Sequence, residues 1–342
     1  MQKNQGNTVR FGILLVVTLV LLILDFQIGT THISLSDLIS FLFNQRELDI
    51  QKISLIKEFR LTRVITAVLA GGGLSLAGLL MQSIFRNPLA GPYVLGVSSG
   101  AGLGVAILVM GASIAGVNVF FLNSGIFAVF AAMAGAALVM LIVISASLRM
   151  RDNVTVLIIG ILLGAVITAL ISVLQFFADS LSVKSFVIWG MGSLSALSFN
   201  NMVLLAVIIL LSFIATFSIC KPLNLFLLGE ENASVSGVNT RKLRVVVFAI
   251  TCVLAGTITA FCGPIGFIGI AVPHMSRWMF KTASHFVLVP AVFLTGATVM
   301  LLSDMLSYSF GNAGVLPINA VTAVTGVPVI IYVVIRNQKS YF

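Results

Sequence analysis

Residues 154–177 read VTVLIIGILLGAVITALISVLQFF, with no charged side chain anywhere from Val154 to Phe177. A helix needs about 20 mostly apolar residues to cross a bilayer, so this stretch alone predicts a membrane span. The rest of the chain has the same character. Of its 342 residues 59% are hydrophobic and 8% charged, with a mean hydropathy of +1.16. A water-soluble domain carries about 25% charged residues because its surface must be wetted. This surface must face lipid instead.

Working outward from residues 154–177, the same criterion gives ten spans: 11–28, 62–84, 93–111, 124–147, 154–177, 201–219, 244–262, 266–283, 287–307 and 316–335. The eighth is interrupted by Pro273, His274 and Arg277. Lys3 and Arg10 precede the first apolar run as in a secretory signal, but no small-residue cleavage site follows it, so an uncleaved first span is expected. The fold class is therefore an all-α polytopic membrane protein. It reads as one transmembrane domain over 1–342, with a polar connection at about 221–243.

Ten spans put both termini on one side. With that side cytoplasmic, 13 of the 19 basic residues fall on inner loops and span ends and six outside, among them Arg60 and Arg63. Cytoplasmic loops carry the excess of Lys and Arg, so both termini are expected inside, in a bacterial inner membrane. The net charge of +9 is loop charge, not a basic stripe interleaved with aromatics, and nucleic acid is not an expected partner. The outer segment 30–60 places Leu35, Leu38, Ile39 and Leu42 at helical spacing, as in a helix lying along the interface.

Small residues mark close helix approach: Gly71-Gly72-Gly73 with Gly78, and Gly160 with Gly164. Arg63 opens a span running to Gly91-Pro92, and Arg244 opens one of opposite direction running to Gly263-Pro264. That is a weak inverted repeat of the kind transporters carry. Cys220, Cys252 and Cys262 show no metal-ligand spacing and read as small buried apolar side chains. No metal site is expected.

The chemistry is as informative where it is missing. No Gly-x-x-x-x-Gly-Lys-Ser/Thr run is present, so the chain has no phosphate-cradling loop for ATP. A proton-driven carrier places acids or histidines in mid-membrane. Here only Asp25 and Asp304 fall within spans, both close to the outer end, and only His274 lies at mid-span. Energy is expected from another subunit.

Seven elements in order then resemble one family. They are Arg60-Leu61-Thr62-Arg63; Gln82 with Arg86-Asn87-Pro88-Leu89-Ala90-Gly91-Pro92; Leu95-Gly96-Val97-Ser98-Ser99-Gly100-Ala101; Trp189-Gly190-Met191-Gly192-Ser193-Leu194; Leu228 to Val238; Gly263-Pro264-Ile265-Gly266-Phe267-Ile268-Gly269 with Pro273, His274 and Arg277; and Leu316-Pro317 through Gly326-Val327-Pro328. Together they resemble the FecCD/BtuC-like permease subunits of iron-siderophore, haem and vitamin B12 ABC importers. The resemblance implies a type II importer permease of ten helices. It also implies a homodimer with the pathway on the two-fold axis, two separate ATPase subunits that bind ATP and magnesium, and a periplasmic or lipid-anchored substrate-binding protein. No cofactor belongs to this chain itself, and the cargo would be an iron chelate, with ferric siderophores favoured.

The resemblance also assigns residues. Leu228, Gly229, Glu230, Ala233 and Gly237 would lie on short coupling helices against the ATPase, the alternative being an ordinary solvated loop. Arg60 and Arg63 would meet glutamates of the binding protein, the alternative being headgroup anchoring. Asn87, Pro88 and Leu89 would form a cytoplasmic gate, the alternative being a helix-ending turn. Two departures stand out: the loop 307–315 lacks the charges many members carry before Leu-Pro, and Gly91 stands where an acid is common. The rival reading is a stand-alone secondary carrier or channel.

Overall fold

The computed structural model describes residues 2–29, 35–43, 49–116, 125–150, 153–309 and 314–338. His32, Arg46, Glu47, Arg151, Asp152, Lys339 and positions 310–313 lie outside them. Fourteen helices run through the described residues. They are α1 (Gln2–Gln27), α2 (Leu35–Phe43), α3 (Ile50–Phe85), α4 (Val97–Ile114), α5 (Gly125–Arg149), α6 (Asn153–Phe177) and α7 (Ser180–Gly190). After these come α8 (Phe199–Ser218), α9 (Cys220–Phe226), α10 (Glu230–Val235), α11 (Thr240–Cys262), α12 (Ile268–Phe280), α13 (His285–Tyr308) and α14 (Ile318–Gln338). Each predicted span has a helix at its position, and eight of the helices are long and apolar enough to cross a membrane.

Two departures have physical causes. The second span does not begin at residue 62: the helix starts at Ile50 and passes through a π-helical stretch, Leu55–Leu61, before Thr62. Glu58, expected in a loop, is therefore helical. Thr62 Oγ1 donates to Lys57 O, five residues back, at 2.8 Å and takes up a carbonyl at that irregular turn. The eighth span shrinks to the 13 residues of α12, about 20 Å at 1.5 Å per residue, because Gly263 to Phe267 are not helical and Lys281 (φ +47°) turns left-handed at the other end. At the segment expected along the interface, α2 forms a helix that buries Phe41 and leaves Ile39 exposed. The side chains of Leu35 and Leu42 lie outside the description.

α3, α11 and α13 are mostly buried, whereas α1, α6 and α8 present most of their apolar side chains outward. Lipid tails are as apolar as leucine, so close packing rather than hydrophobic expulsion must hold such a core together. Glycine supplies it. A Cβ on Gly78 would sit inside the carbonyl of Gly269, and one on Gly71 would meet Gly296 O and Met300. Gly72 faces the Phe293 ring, Gly73 faces Ile258 and Ile209, and Gly160 packs on Val94 O. Gly164 is different: a Cβ there would make an ordinary 3.5 Å contact with Ser99 Oγ.

α7 was not foreseen. It is opened by Asp179, whose carboxylate accepts the Leu181 and Ser182 N–H groups at 3.1 and 3.2 Å. The Ser113 hydroxyl on the same carboxylate, with Ser182, holds its pKa down at about 2. Cys220 and Cys262 are buried and Cys252 is half-buried, all three as free thiols.

Candidate functional site

Two ends of the helix bundle carry the residues in question. At one end, α9 and α10 form a short helix pair between α8 and α11. Gly229 (φ +118°) makes the turn between them. Gly237 (φ +84°) ends α10: its N–H reaches Ser234 O at 2.9 Å, and the N–H of Val238 reaches Ala233 O at 3.0 Å. This is the paired closure a left-handed glycine permits just past a helix end. Ala233 is fully buried. Glu230 points back into the protein, with both carboxylate oxygens at 3.0 and 3.1 Å from Nη2 of Arg244. Arg244, itself buried, also reaches Ser147 O at 3.4 Å at the end of α5. The predicted coupling residues thus divide by role: Glu230 and Ala233 fasten the pair to the bundle, and Gly229 and Gly237 shape it. Leu228, 67% exposed, and Val235, 91% exposed, face outward. Val235 was missed, although an apolar residue in so polar a segment is a readable signal.

Near this end α3 stops at Phe85, with Arg86 in the left-handed region (φ +49°). Asn87 Oδ1 then accepts the Leu89 N–H at 2.9 Å, and Asn87 O accepts Ala90 N–H at 3.1 Å. Pro88 O lies 2.8 Å from His274 Nε2, which must carry a proton to make that bond. Gln82 donates to Ile270 O at 3.1 Å and accepts from Arg277. Pro88 thus holds the loop to α12, and Gln82 holds the end of α3 to the same helix, while Leu89 stays 41% exposed.

At the opposite end the structure departs from the expectation of exposed docking arginines. Arg60 and Arg63 are 4% and 3% exposed. Arg63 lies 3.1 Å from Asp25 Oδ1 and 2.9 Å from Asp304 Oδ2. It also donates to the carbonyls of Asp25 and Ile28 at 2.8 and 2.9 Å, and the Tyr308 ring stacks 4.1 Å from its Cζ. Arg60 donates to Ile28 O. Spaced i, i+3, the two guanidinium groups share one helix face, and that face is turned to the end of α1. The exposed charges at this end, among the described residues, include Asp49, Lys52, Lys57, Glu58, Asp179 and Lys184. The pairing had a sequence signal: the two acids within spans sit at the same predicted end as Arg63.

Between the two ends, the non-helical segment Gly263 to Phe267 borders a cavity of about 410 Å³. Tyr93, Ser98, Ser99, Pro264, Phe267 and Asn319 line it, with Gly266 and Ile270. Irregular backbone at membrane depth must have its polar groups met by protein or water. Gly266 N–H reaches Asn319 Oδ1 at 2.9 Å, and Ile265 N–H reaches the Tyr93 hydroxyl at 3.3 Å. Phe267 adopts φ +67°, ψ −32°, and Ile268 N–H bonds Gly266 O at 2.8 Å. That is the rare, strained form of the γ-turn. Gly263 (φ +72°) packs on Trp189 O and Gly192. Neither Phe267 nor Asn319 was singled out from the sequence. Among the described residues no group of three or more His, Cys, Asp or Glu could hold a metal ion.

Residues 15–336 match the model of the FecCD transport family. The chain is 33% identical to the Fe(3+)-citrate import system permease protein YfmE of Bacillus subtilis, over 97% of this chain and 96% of that one. It is 32% identical to the hemin transport system permease protein HmuU of Yersinia pestis, over 82% and 83%. It is 31% identical to the molybdate import system permease protein MolB of Haemophilus influenzae, over 99% of each. A solved metal-chelate type ABC transporter in an inward-facing conformation superposes with a TM-score of 0.82 at 29% identity, covering 96% of this chain and 99% of its own.

Proposed function

Because the chain belongs to the FecCD transport family, we propose that it is the permease subunit of an ABC importer that carries an iron chelate inward. Ferric siderophores are the favoured cargo, and haem or a corrinoid the alternatives within the class. Relatives at nearly equal identity are named for ferric citrate, hemin and molybdate. Two copies would line a pathway on their two-fold axis, the commonest arrangement for identical subunits. Two separate ATPase subunits would bind ATP and magnesium, and an external binding protein would deliver the chelate. The chain acts as a single permease domain, multi-pass in the inner membrane, with both termini cytoplasmic on the charge bias of its loops.

The observation that carries this reading is the α9–α10 pair. It is fastened to the bundle by Glu230–Arg244 and by Ala233, yet it presents Leu228 and Val235 outward. A rigid two-helix step with an apolar tip suits a surface that receives force from a closing partner. The α3–α4 loop, with Leu89 exposed, is the element we assign to the cytoplasmic gate. Arg60 and Arg63 contribute to binding-protein docking by fixing the end of α1 against α3 near the exposed charges, not by direct pairing.

The test is ATPase stimulation in liposomes holding this subunit, its ATPase subunits and the cognate binding protein. A ferric siderophore, haem and cobalamin are compared. Stimulation and uptake by one of the three, dependent on ATP, is the expected result. Accumulation against a gradient by this subunit alone would overturn the reading in favour of a secondary carrier.

A further inference from the structure

His285 opens α13 and is 1% exposed. Three hydrogen bonds leave it for two other helices. Its backbone N–H and its Nδ1 both meet Asn224 Oδ1 of α9, each at 2.8 Å. Its Nε2 lies 2.7 Å from Ser83 Oγ of α3. The backbone N–H can only donate, so the Asn224 atom is the amide oxygen, and the ring contact to that oxygen needs the proton on Nδ1. Nε2 is then the acceptor for the Ser83 hydroxyl. Asn224 also serves a second purpose: it satisfies one of the orphan N–H groups at the start of α13, where Ser284 makes no side-chain cap.

Position gives this chain of bonds its meaning. Asn224 stands on α9, five residues before Gly229 and the outward-facing α10. Ser83 stands on α3, four residues before Asn87 and the loop assigned to the gate. We infer that His285 is a positioning residue that transmits movement of the α9–α10 pair to the gate end of α3. The inference rests on the reading of α9–α10 as the coupling surface and of residues 87–89 as the gate.

The geometry suits transmission better than passive packing. Leu223 and Phe226 also bury α9 in the core, but apolar contacts slide, whereas a buried hydrogen bond holds a direction and strands a polar group when it breaks. Ser83 adds a second stable arrangement. Its one proton has two acceptors within reach, His285 Nε2 and its own helix carbonyl Leu79 O, both at 2.7 Å. When α9 draws His285 away, the hydroxyl keeps a partner on α3. When His285 returns, the hydroxyl is shared across the helices again. Such an element has two discrete states that both sites can bias, which is the physical requirement for coupling.

The experiment uses the full complex with its ATPase subunits in nanodiscs and reads maleimide labelling of Leu89→Cys, without nucleotide and with ATP plus vanadate. No cargo is needed. With Ser83 and Asn224 native, the labelling rate should change by about fivefold or more with nucleotide, the lower end of ordinary coupling between sites. In Ser83→Ala or Asn224→Leu the change should collapse while ATP hydrolysis continues, and the double variant should be no worse than either single one. A residue that only stabilises the fold would lower the yield of complex and leave the nucleotide response of the assembled fraction intact. That outcome in both single variants overturns the inference. If labelling ignores nucleotide even with both residues native, the gate assignment itself is wrong and the inference falls with it. Val235→Glu separates the cases further, because retention of full ATPase binding there refutes the coupling surface rather than the relay.

Discussion

Arg63 and Asp304 form an ion pair, Nε to Oδ2 at 2.9 Å, that ties the start of the second span to the end of the ninth. The contact is close enough for charge pairing, although it is not aligned as a hydrogen bond. Asp25 closes the group from α1 at 3.1 Å. Three helices thus meet on one buried guanidinium, with two carboxylates around it.

Removing the cation should hurt far more than removing a docking charge would. An exposed pair is worth about 0.2–1 kcal/mol, whereas deleting one partner of a buried pair costs about 3–5 kcal/mol. Arg63→Ala leaves Asp25 and Asp304 facing each other, and should sharply lower the melting temperature and yield of purified protein in detergent. Arg63→Met with Asp25→Leu and Asp304→Leu should recover much of the loss, since an apolar replacement of a whole buried charge group is often tolerated. If Arg63→Ala melts normally and only weakens capture by the binding protein, direct docking is the right reading after all.

Hydropathy marks positions for all ten spans because the cost of burying charge in lipid is large and local. It cannot mark where a span is broken. The eighth was expected over 266–283, but Gly263 to Phe267 keep their backbone outside a helix by borrowing Asn319 and Tyr93 from elsewhere in the chain. Those partners are distant in sequence, and no local pattern announces them. Exposure of the arginines was misjudged for the same reason: a charge at a span end looks wetted until its buried partners are placed. Glu230 and Gly237 were legible as special, yet their actual work, an inward ion pair and a helix closure, depends on Arg244 and Val238.

That division of labour on α9–α10 predicts which substitutions uncouple cleanly. Val235→Glu adds charge to the outward tip without touching a buried contact. It should leave insertion and melting unchanged while weakening ATPase-subunit binding by about 2 kcal/mol, roughly 30-fold, as loss of an interface hot spot does. Glu230→Arg sets a second guanidinium against Arg244, so it should destabilise the segment as well as uncouple it. Pull-down of the ATPase subunits together with melting curves distinguishes the two. Equal effects on stability from both variants would refute the assignment of faces.

Close packing through glycine predicts a graded series. Gly78→Ala drives a methyl group into the Gly269 carbonyl, where backbone on both sides must move. A cost of about 1–3 kcal/mol or more follows, in the range of core overpacking. Gly164→Ala meets only Ser99 Oγ at an ordinary distance and should be nearly neutral. Melting of the two variants in the same detergent checks the order. A reversal would mean that the α3–α12 contact is looser than described.

Leu89 offers the most direct view of the assembled pathway. It is exposed at the tip of a turn that Asn87 closes at 2.9 Å and that His274 holds through Pro88, so a substitution there disturbs no buried contact. If two copies face each other across an axis near this loop, Leu89→Cys should crosslink between subunits, with a yield that depends on nucleotide. Of the native thiols Cys220 and Cys262 are buried, and Cys252→Ala removes the half-buried third as background. Gel-shifted dimer that forms equally with and without ATP would indicate a static turn. No dimer in either condition, in a complex that still transports, would place the pathway away from this loop.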